Sequence, residues 1–481
     1  MKTKQLAMAA LLALSVGGIA SAQTIVNVSG STAFRSQVVT TEIALLSNVG
    51  ANLPGGVATI AYDGSSDTSA TYSDIHGYLA DGSEVYYRNH WTGSAGGVAD
   101  LTTGNTTLAF IPITQTFSVA PGTATTVITD TAAPEVAMSD SLAADIALEL
   151  ATEGAQGVTD ANLIASSALL DGGTAAGANS GPVATVNFVP LLGVLAAGQS
   201  APTALLTNGL NEETLRTLVQ TGSCPLSFVT NNPSDTTNFL IWIGRNEDSG
   251  TRIDYMGESQ DGVTGGIHQF MVQQSGVAYP TSFTYSSLSA DSSGLTGFKE
   301  WPSSWQLNTI TSLNWRALGH SGYNGGGDVA AILGSPDPVA ASGFTGGISN
   351  APTGSTGSSN YYFVSVIGTH DAQAAIGNGA TILPYNGIAI SYTGGSSGTY
   401  NFAPIQNGQY SLWNQEHLYY LTSATGSQAA VSGEVKTAAD DLADAIFNTP
   451  TASLGQVGCQ LSSVNCARST TVGSPIIPGS L

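Results

Sequence analysis

Ile25-Val26-Asn27-Val28-Ser29-Gly30-Ser31-Thr32 sets a short apolar run directly against three small residues. Ile25–Val28 reads as a strand running into the Gly30-Ser31-Thr32 turn. Residues 33–46 follow with Phe34, Val38, Ile43 and Leu45 as apolar positions, which predicts a helix. A strand, a small-residue turn and a helix together aim backbone N–H groups at a ligand. Working outward, strands are expected at 107–112, 183–190, 237–243, 361–367 and 386–391. Helices are expected at 139–150, 156–170, 210–220 and 432–447, the last carrying Val435, Ala438, Leu442, Ala443 and Ile446 on one stripe. Strands alternating with helices point to an α/β fold. A β-rich adhesin or coat protein suits the Gly/Ser/Thr-heavy composition, with its 58 glycines, but not these helices. Long loops are expected at 63–71, 92–106, 172–182, 321–328, 338–359 and 392–400.

Residues 1–22 read as a signal peptide: Lys2 and Lys4, an apolar run from Leu6 to Ile19, then Ala20-Ser21-Ala22 as a small-x-small cleavage site. The run is too short for a membrane anchor. No cysteine stands at the cleavage point for a lipid, so the mature chain is expected to start at Gln23 with no anchor, periplasmic or secreted. Cleavage removes two of eleven basic residues and none of the thirty-three acidic ones, taking the net charge from -22 to -24. Such a surface excludes nucleic acid and anionic membranes as partners. It also repels a free anion at long range, so an anion site here must rest on local donors. Of three cysteines, Cys459 and Cys466 lie close enough in sequence for export to permit a disulfide, leaving Cys224 free. His76, His90, His268, His320 and His370 are scattered, and no metal or cofactor is expected. About 459 mature residues exceed one ordinary core, so two domains are expected.

Four segments pair hydroxyl residues with glycine or an acid: Ser29-Gly30-Ser31-Thr32-Ala33-Phe34, Thr92-Gly93-Ser94-Ala95-Gly96-Gly97-Val98, Ala137-Met138-Ser139-Asp140, and Arg245-Asn246-Glu247-Asp248-Ser249-Gly250-Thr251. The last sets a rare arginine four residues ahead of Ser-Gly-Thr. Arginine's rigid fork suits phosphate or carboxylate. Glycine lets backbone N–H groups approach, and the hydroxyls add donors. Alone, this segment reads equally as a surface turn, with Arg245 paired to Glu247 or Asp248.

The ordered set resembles the periplasmic phosphate-binding protein family, the substrate-binding subunits of phosphate ABC transporters. Gly30-Ser31-Thr32, Gly93-Ser94-Ala95-Gly96-Gly97-Val98, Ser139-Asp140 and Arg245 with Ser249-Gly250-Thr251 match that family's motifs in order. Asn401-Phe402, Ile405 and Gly408 to Trp413 resemble its terminal segment, with Ser411 where proline is usual. The resemblance covers most of 24–447. It implies a type II periplasmic binding protein fold: two α/β lobes, a ligand cleft and a double crossover. It places 23–186 and 378–450 in lobe 1, 187–377 in lobe 2 and 451–481 in a Ser/Pro/Gly-rich tail. The crossings are expected near Thr185-Val186-Asn187 and at 375–380. The implied ligand is inorganic phosphate, held by Thr32, Ala33, Ser94, Asp140, Arg245, Ser249, Gly250 and Thr251. The implied partner for uptake is an ABC permease.

An ionised Asp140 only accepts hydrogen bonds. It therefore suits a protonated anion such as hydrogen phosphate and disfavours sulfate. Its simpler role is to cap the helix at 141–150, as Thr32 and Ser94 could cap theirs. The chain departs from the compact family pattern between Thr32 and Ser94, between Ser94 and Asp140, and across 253–360. These lengths read as insertions that cover the cleft, form an interaction surface or simply loop out. Arg88 and His90, just before Ser94, stand at the site or its rim. Trp413-Asn414-Gln415-Glu416-His417-Leu418-Tyr419-Tyr420 reads as packing against the chain's return rather than as chemistry at Glu416 and His417. Two other functions compete: an extracellular structural or surface protein reusing the binding fold, and a secreted phosphatase, for which no carboxylate–histidine metal set is visible.

Overall fold

The computed structural model describes residues 23–47, 58–118, 123–143, 145–146, 170–172, 182–262, 267–274, 295–301, 321–336, 359–395, 398–422, 424, 429–468 and 476–478. The expected signal peptide at 1–22, the expected helix at 156–170 up to Ser167-Ala168-Leu169, and the expected loop at 338–359 up to Ser358 lie outside these residues.

In chain order the main elements are β1 (Thr24–Gly30), α1 (Arg35–Ser47), β2 (Thr59–Tyr62), β3 (Tyr72–Tyr78), β4 (Glu84–His90), α2 (Ser94–Thr103), β5 (Val136–Ser139), β6 (Ala184–Leu192), α3 (Glu212–Thr221), β7 (Ser223–Pro225), β8 (Phe239–Trp242), α4 (Gly250–Glu258), α5 (Gly326–Leu333), β9 (Tyr361–Gly368), α6 (Thr369–Gly377), β10 (Trp413–Leu421) and α7 (Gly433–Phe447). The strands form one mixed sheet in the order β7-β8-β9-β6-β10-β5-β1-β4-β3-β2, with helices packed on it. This is an α/β fold.

β6 joins two halves of the sheet. Its first residues, Ala184–Asn187, pair antiparallel with Glu416–Trp413 of β10. From Phe188 to Leu192 it pairs instead with Gly368–Val364 of β9. The near half holds β10, β5, β1, β4, β3 and β2; the far half holds β9, β8 and β7. The chain does not leave the far half at 375–380. Thr381–Ile382 still pairs with Leu192–Leu191, and Trp413 opposite Asn187 is where the near half resumes.

Each half is held by the apolar faces its sequence provides. α1 buries Val38, Val39 and Leu46 against the near half, with Phe34 just ahead of it, and α7 adds Leu442 and Ile446 beside it. A fully buried Leu or Ile contributes about 1.5–3 kcal/mol. Tyr87 of β4 donates to the Ala438 carbonyl of α7 at 2.8 Å, which satisfies its buried hydroxyl. In the far half, Phe298 sets its ring edge-on to Tyr361 and Phe363 of β9.

Several expectations change. The stretch between Thr32 and Ser94 is not an outlying insertion: β2, β3 and β4 extend the main sheet, and β4 pairs directly with β1. The 92–106 stretch is mostly the helix α2, and 321–328 runs into α5. Glycine is a poor helix former, but Gly97 must stay small. A Cβ there would lie 2.7 Å from the Gly30 nitrogen, so α2 can rest on the end of β1 only through that glycine. The strand expected at 386–391 is a turn, and Ser391–Thr393 pairs with Thr399–Asn401 inside the expected 392–400 loop. Ser139 ends β5 and does not open the helix expected at 139–150. Cys459 and Cys466 are both free, buried thiols, so the disulfide is not formed. Each sulfur faces its own partner: Asn187 Nδ2 donates to Cys459 Sγ at 3.7 Å, and Cys466 Sγ donates to the Ile405 carbonyl at 3.6 Å.

Candidate functional site

β1 is parallel to β4 and β5, so all three end on the same side of the near half. β8 and β9 are parallel in the far half. Ligands of open α/β sheets bind beyond the carboxyl ends of such strands. Here the residues just past those ends converge. Thr32 follows β1, Ser94 opens α2 after β4, Asp140 follows β5, and Arg245 comes three residues after β8.

Contacts cross between the halves at this point. Arg245 is 1% exposed. Its Nη2 donates to Thr32 Oγ1 at 3.3 Å and to the Asn324 carbonyl at 3.0 Å, while its Nε donates to the Tyr323 carbonyl at 3.1 Å. These partners are a hydroxyl and two carbonyls, none of them ionised. Asp371, Asp140 and Asp328 surround it more distantly; they oppose the burial that pushes its pKa down. Among the described residues Arg245 has no carboxylate within ion-pair distance, in contrast to the Arg88–Asp130 and Arg468–Glu258 pairs. The surface pairing of Arg245 with Glu247 or Asp248 is not what the structure has.

Asp140 is 1% exposed and takes a hydrogen bond from the Ser94 hydroxyl. Burial raises its pKa to about 6, against the Ser94 hydrogen bond and the positive charge of Arg245. Gly250, at the first turn of α4, lies directly over this pair. A Cβ at Gly250 would stand 2.7 Å from both Asp140 Cγ and Ser94 Cβ. Ser249 caps α4, its hydroxyl accepting from the Arg252 N–H at 3.4 Å, and Thr251 is buried two residues further on. The Asp248 carbonyl accepts from Ala95 N at 3.1 Å, so the start of α4 is also tied to α2. Ala33 is buried in the turn before α1 and faces Gly368 at the end of β9.

The eight residues singled out from sequence thus fall on the facing ends of the two halves, with Thr32, Ser94, Asp140, Arg245 and Gly250 in direct or near contact. Others had no motif to announce them. Arg35, the first residue of α1, lies 3.7 Å from Asp371 of α6, and its Nε has no hydrogen-bond partner. A Cβ on Gly326 would fall 3.4 Å from Arg245 Nη1 and 2.9 Å from Asp371 Cγ, so the amino end of α5 comes close to both groups. The N-termini of α1, α2, α4, α5 and α6 are all represented around the site, where a helix start favours a negative guest, although the Asp248 carbonyl already takes the Ala95 and Gly96 N–H groups of α2.

Arg88 and His90 stand elsewhere. Arg88 donates to Asn27 at 2.8 Å and to Asp130 at 3.0 Å and lies over the Phe110 ring. His90 packs against Tyr72, the ring centroids 4.3 Å apart and the planes tilted by 34°. His417 and Glu416 are adjacent in a strand and point to opposite faces. His417 stacks on Tyr419 with its Nδ1 facing the Gln415 carbonyl, and burial lowers its pKa to about 4. No group of three or more His, Cys, Asp or Glu side chains among the described residues could hold a metal ion.

No family model matches the chain. No curated protein matches it either. Among solved structures, PstS from Borrelia burgdorferi is similar at 11% identity over 87% of this chain and 92% of that one, with a TM-score of 0.30. A protein described as a possible phosphate binding protein from Planctomyces limnophilus is similar at 9% identity over 88% of this chain and 99% of that one, with a TM-score of 0.31. Both likenesses are remote. No helix among the described residues is long and apolar enough to cross a membrane.

Proposed function

We propose that this chain binds inorganic phosphate between the two halves of its sheet, which act as lobes that close over the ligand. The observation that carries the reading is Arg245: a buried guanidinium bound only by neutral oxygens, set among hydroxyls and helix N-termini from both halves. A buried cation without an ionised partner is costly. A bound oxyanion would supply that partner, and Arg245 would hold it in bidentate fashion. Thr32, Ser94, Ser249 and Thr251 would add hydroxyl donors, and the backbone at Ala33 and Gly250 would add N–H groups.

Asp140 then sets which oxyanion fits. The Ser94 hydroxyl now donates to it, and a guest's O–H would take that place. Hydrogen phosphate brings such a proton, whereas sulfate presents only lone pairs. Ligand contacts from both halves would favour the closed arrangement, because only that arrangement satisfies all of them. The function served is ABC-type uptake through a permease, or capture of phosphate outside the cell. Equilibrium dialysis with phosphate tests the assignment: stripped wild type should bind saturably and Arg245→Met should not. Equal retention by both proteins would remove Arg245 from the site.

A further inference from the structure

Glu416 of β10 is 0% exposed, and neither of its carboxyl oxygens makes a formed hydrogen bond. A buried ionised carboxylate without donors is among the costliest groups a protein can hold. Besides β6, which pairs with it through the backbone at Ala184, three elements bring polar groups to it. The β1–α1 turn brings Ser31, whose buried hydroxyl is close enough to favour the charged form of Glu416 but makes no formed hydrogen bond. The end of β5 brings Asp140, and α4 brings Asp254; both act on Glu416 as like charges. On its own strand, Asn414 points to the same face and donates to Asp254 Oδ1 at 2.7 Å, while the neutral His417 points away.

The three carboxyls differ in what supports a charge. Asp140 has the Ser94 hydroxyl and the field of Arg245. Asp254 has Asn414, Ser141 Oγ at 3.3 Å and the positive charge of Arg468 beyond, with Asp145 opposing. Glu416 has only Ser31 nearby. Like charges sharing a buried site cannot all ionise, and the proton stays where ionisation is worst supported. The group is not spaced to share a metal ion.

We infer that Glu416 sets the charge of the anion site from behind its ligand contacts: it remains a neutral acid next to Asp140, so that Asp140 alone faces the guest as a negative charge. This rests on the phosphate reading for its functional consequence but not for its chemistry. Were Glu416 to ionise, a second negative charge would face the guest, and the site would reject anions. Affinity should therefore fall as alkaline pH draws the proton from Glu416, by up to about tenfold per pH unit for one linked proton.

Glu416→Gln keeps the shape and cannot ionise. At pH 7 calorimetry should find the variant within about threefold of wild type for phosphate, and once alkaline pH ionises Glu416 the wild type should fall behind the variant by up to about tenfold per pH unit. A tenfold loss at pH 7 overturns the inference, as does parallel loss in both proteins across the pH range where the wild-type protonated-carboxyl band disappears. Infrared difference spectra give a readout that needs no ligand. At pH 7 wild type should show a protonated-carboxyl C=O band that Glu416→Gln lacks; identical spectra overturn the proposal even if phosphate never binds. If the band difference is present and phosphate does not bind, the fault lies with the phosphate reading and with the site role that depends on it.

Discussion

Gly250→Ala tests the closure of the two halves through a single methyl group. Gly250 lies in the first turn of α4, where alanine is the better helix former by roughly 0.5–1 kcal/mol. The far half alone should therefore lose nothing from the change. The cost arises only where α4 meets the near half. The new Cβ would stand 2.7 Å from Asp140 Cγ and from Ser94 Cβ, against about 3.5–4.0 Å for ordinary carbon contacts. Asp140 cannot give way cheaply, because it is buried and bonded to Ser94. Ser94 in turn opens α2, which rests on β1 through Gly97. Overpacking of this kind costs about 1–3 kcal/mol, which corresponds to roughly 5- to 150-fold in affinity for a guest held by both halves. Calorimetric titration of phosphate into stripped wild type and variant measures it, with circular dichroism to confirm that both are folded. Affinity within twofold of wild type would refute the claim that Gly250 and Asp140 meet in the bound arrangement.

Further outcomes follow from the same geometry. Asp140→Asn should relax discrimination between phosphate and sulfate, because the amide can donate to an unprotonated guest; an unchanged affinity ratio in competition dialysis would count against Asp140 as the discriminator. Glu42 of α1 is fully buried, accepts from Asn89 at 2.8 Å and has Asp74 nearby, and burial raises its pKa to about 8. Because the folded value lies above the unfolded one, its stabilising contribution is complete below about pH 4.5 and is lost as pH rises through about 8. Glu42→Gln should accordingly raise the melting temperature by a few degrees more at pH 8 than at pH 5; an equal shift at both pH values would argue against the buried proton. Thiol labelling of unfolded, unreduced protein should find all of Cys224, Cys459 and Cys466, whereas one reactive thiol would reveal the disulfide that the structure lacks.

The parts legible in the sequence were those with a repeating physical signal. β1, its small-residue turn and α1 form one continuous pattern, and the Leu442–Ile446 stripe marked α7. β6 was visible as an apolar run, but its change of partner at Phe188 depends on strands more than 170 residues away. β3 and β4 were hidden because Tyr72–Tyr78 and Glu84–His90 mix charged and aromatic residues. Their polar side chains find buried partners, as Asn89 does with Glu42 and Ser73. α2 was hidden by Gly96 and Gly97, whose smallness serves packing rather than flexibility. At the site, hydroxyl–glycine segments and a rare arginine could be recognised because those residue types suit an anion. Arg35, Asp371, Asp254 and Glu416 could not. Their roles come from which elements the sheet order places side by side, and no local spacing records that.

The central claim is that the buried Arg245 and Asp140 together form a site for a protonated oxyanion. The most direct measurement is isothermal titration of stripped wild-type protein with phosphate and, separately, with sulfate at pH 7. Phosphate should bind saturably and sulfate at least tenfold more weakly, a difference of about 1.4 kcal/mol or more. No phosphate binding, or sulfate bound as tightly as phosphate, would contradict it.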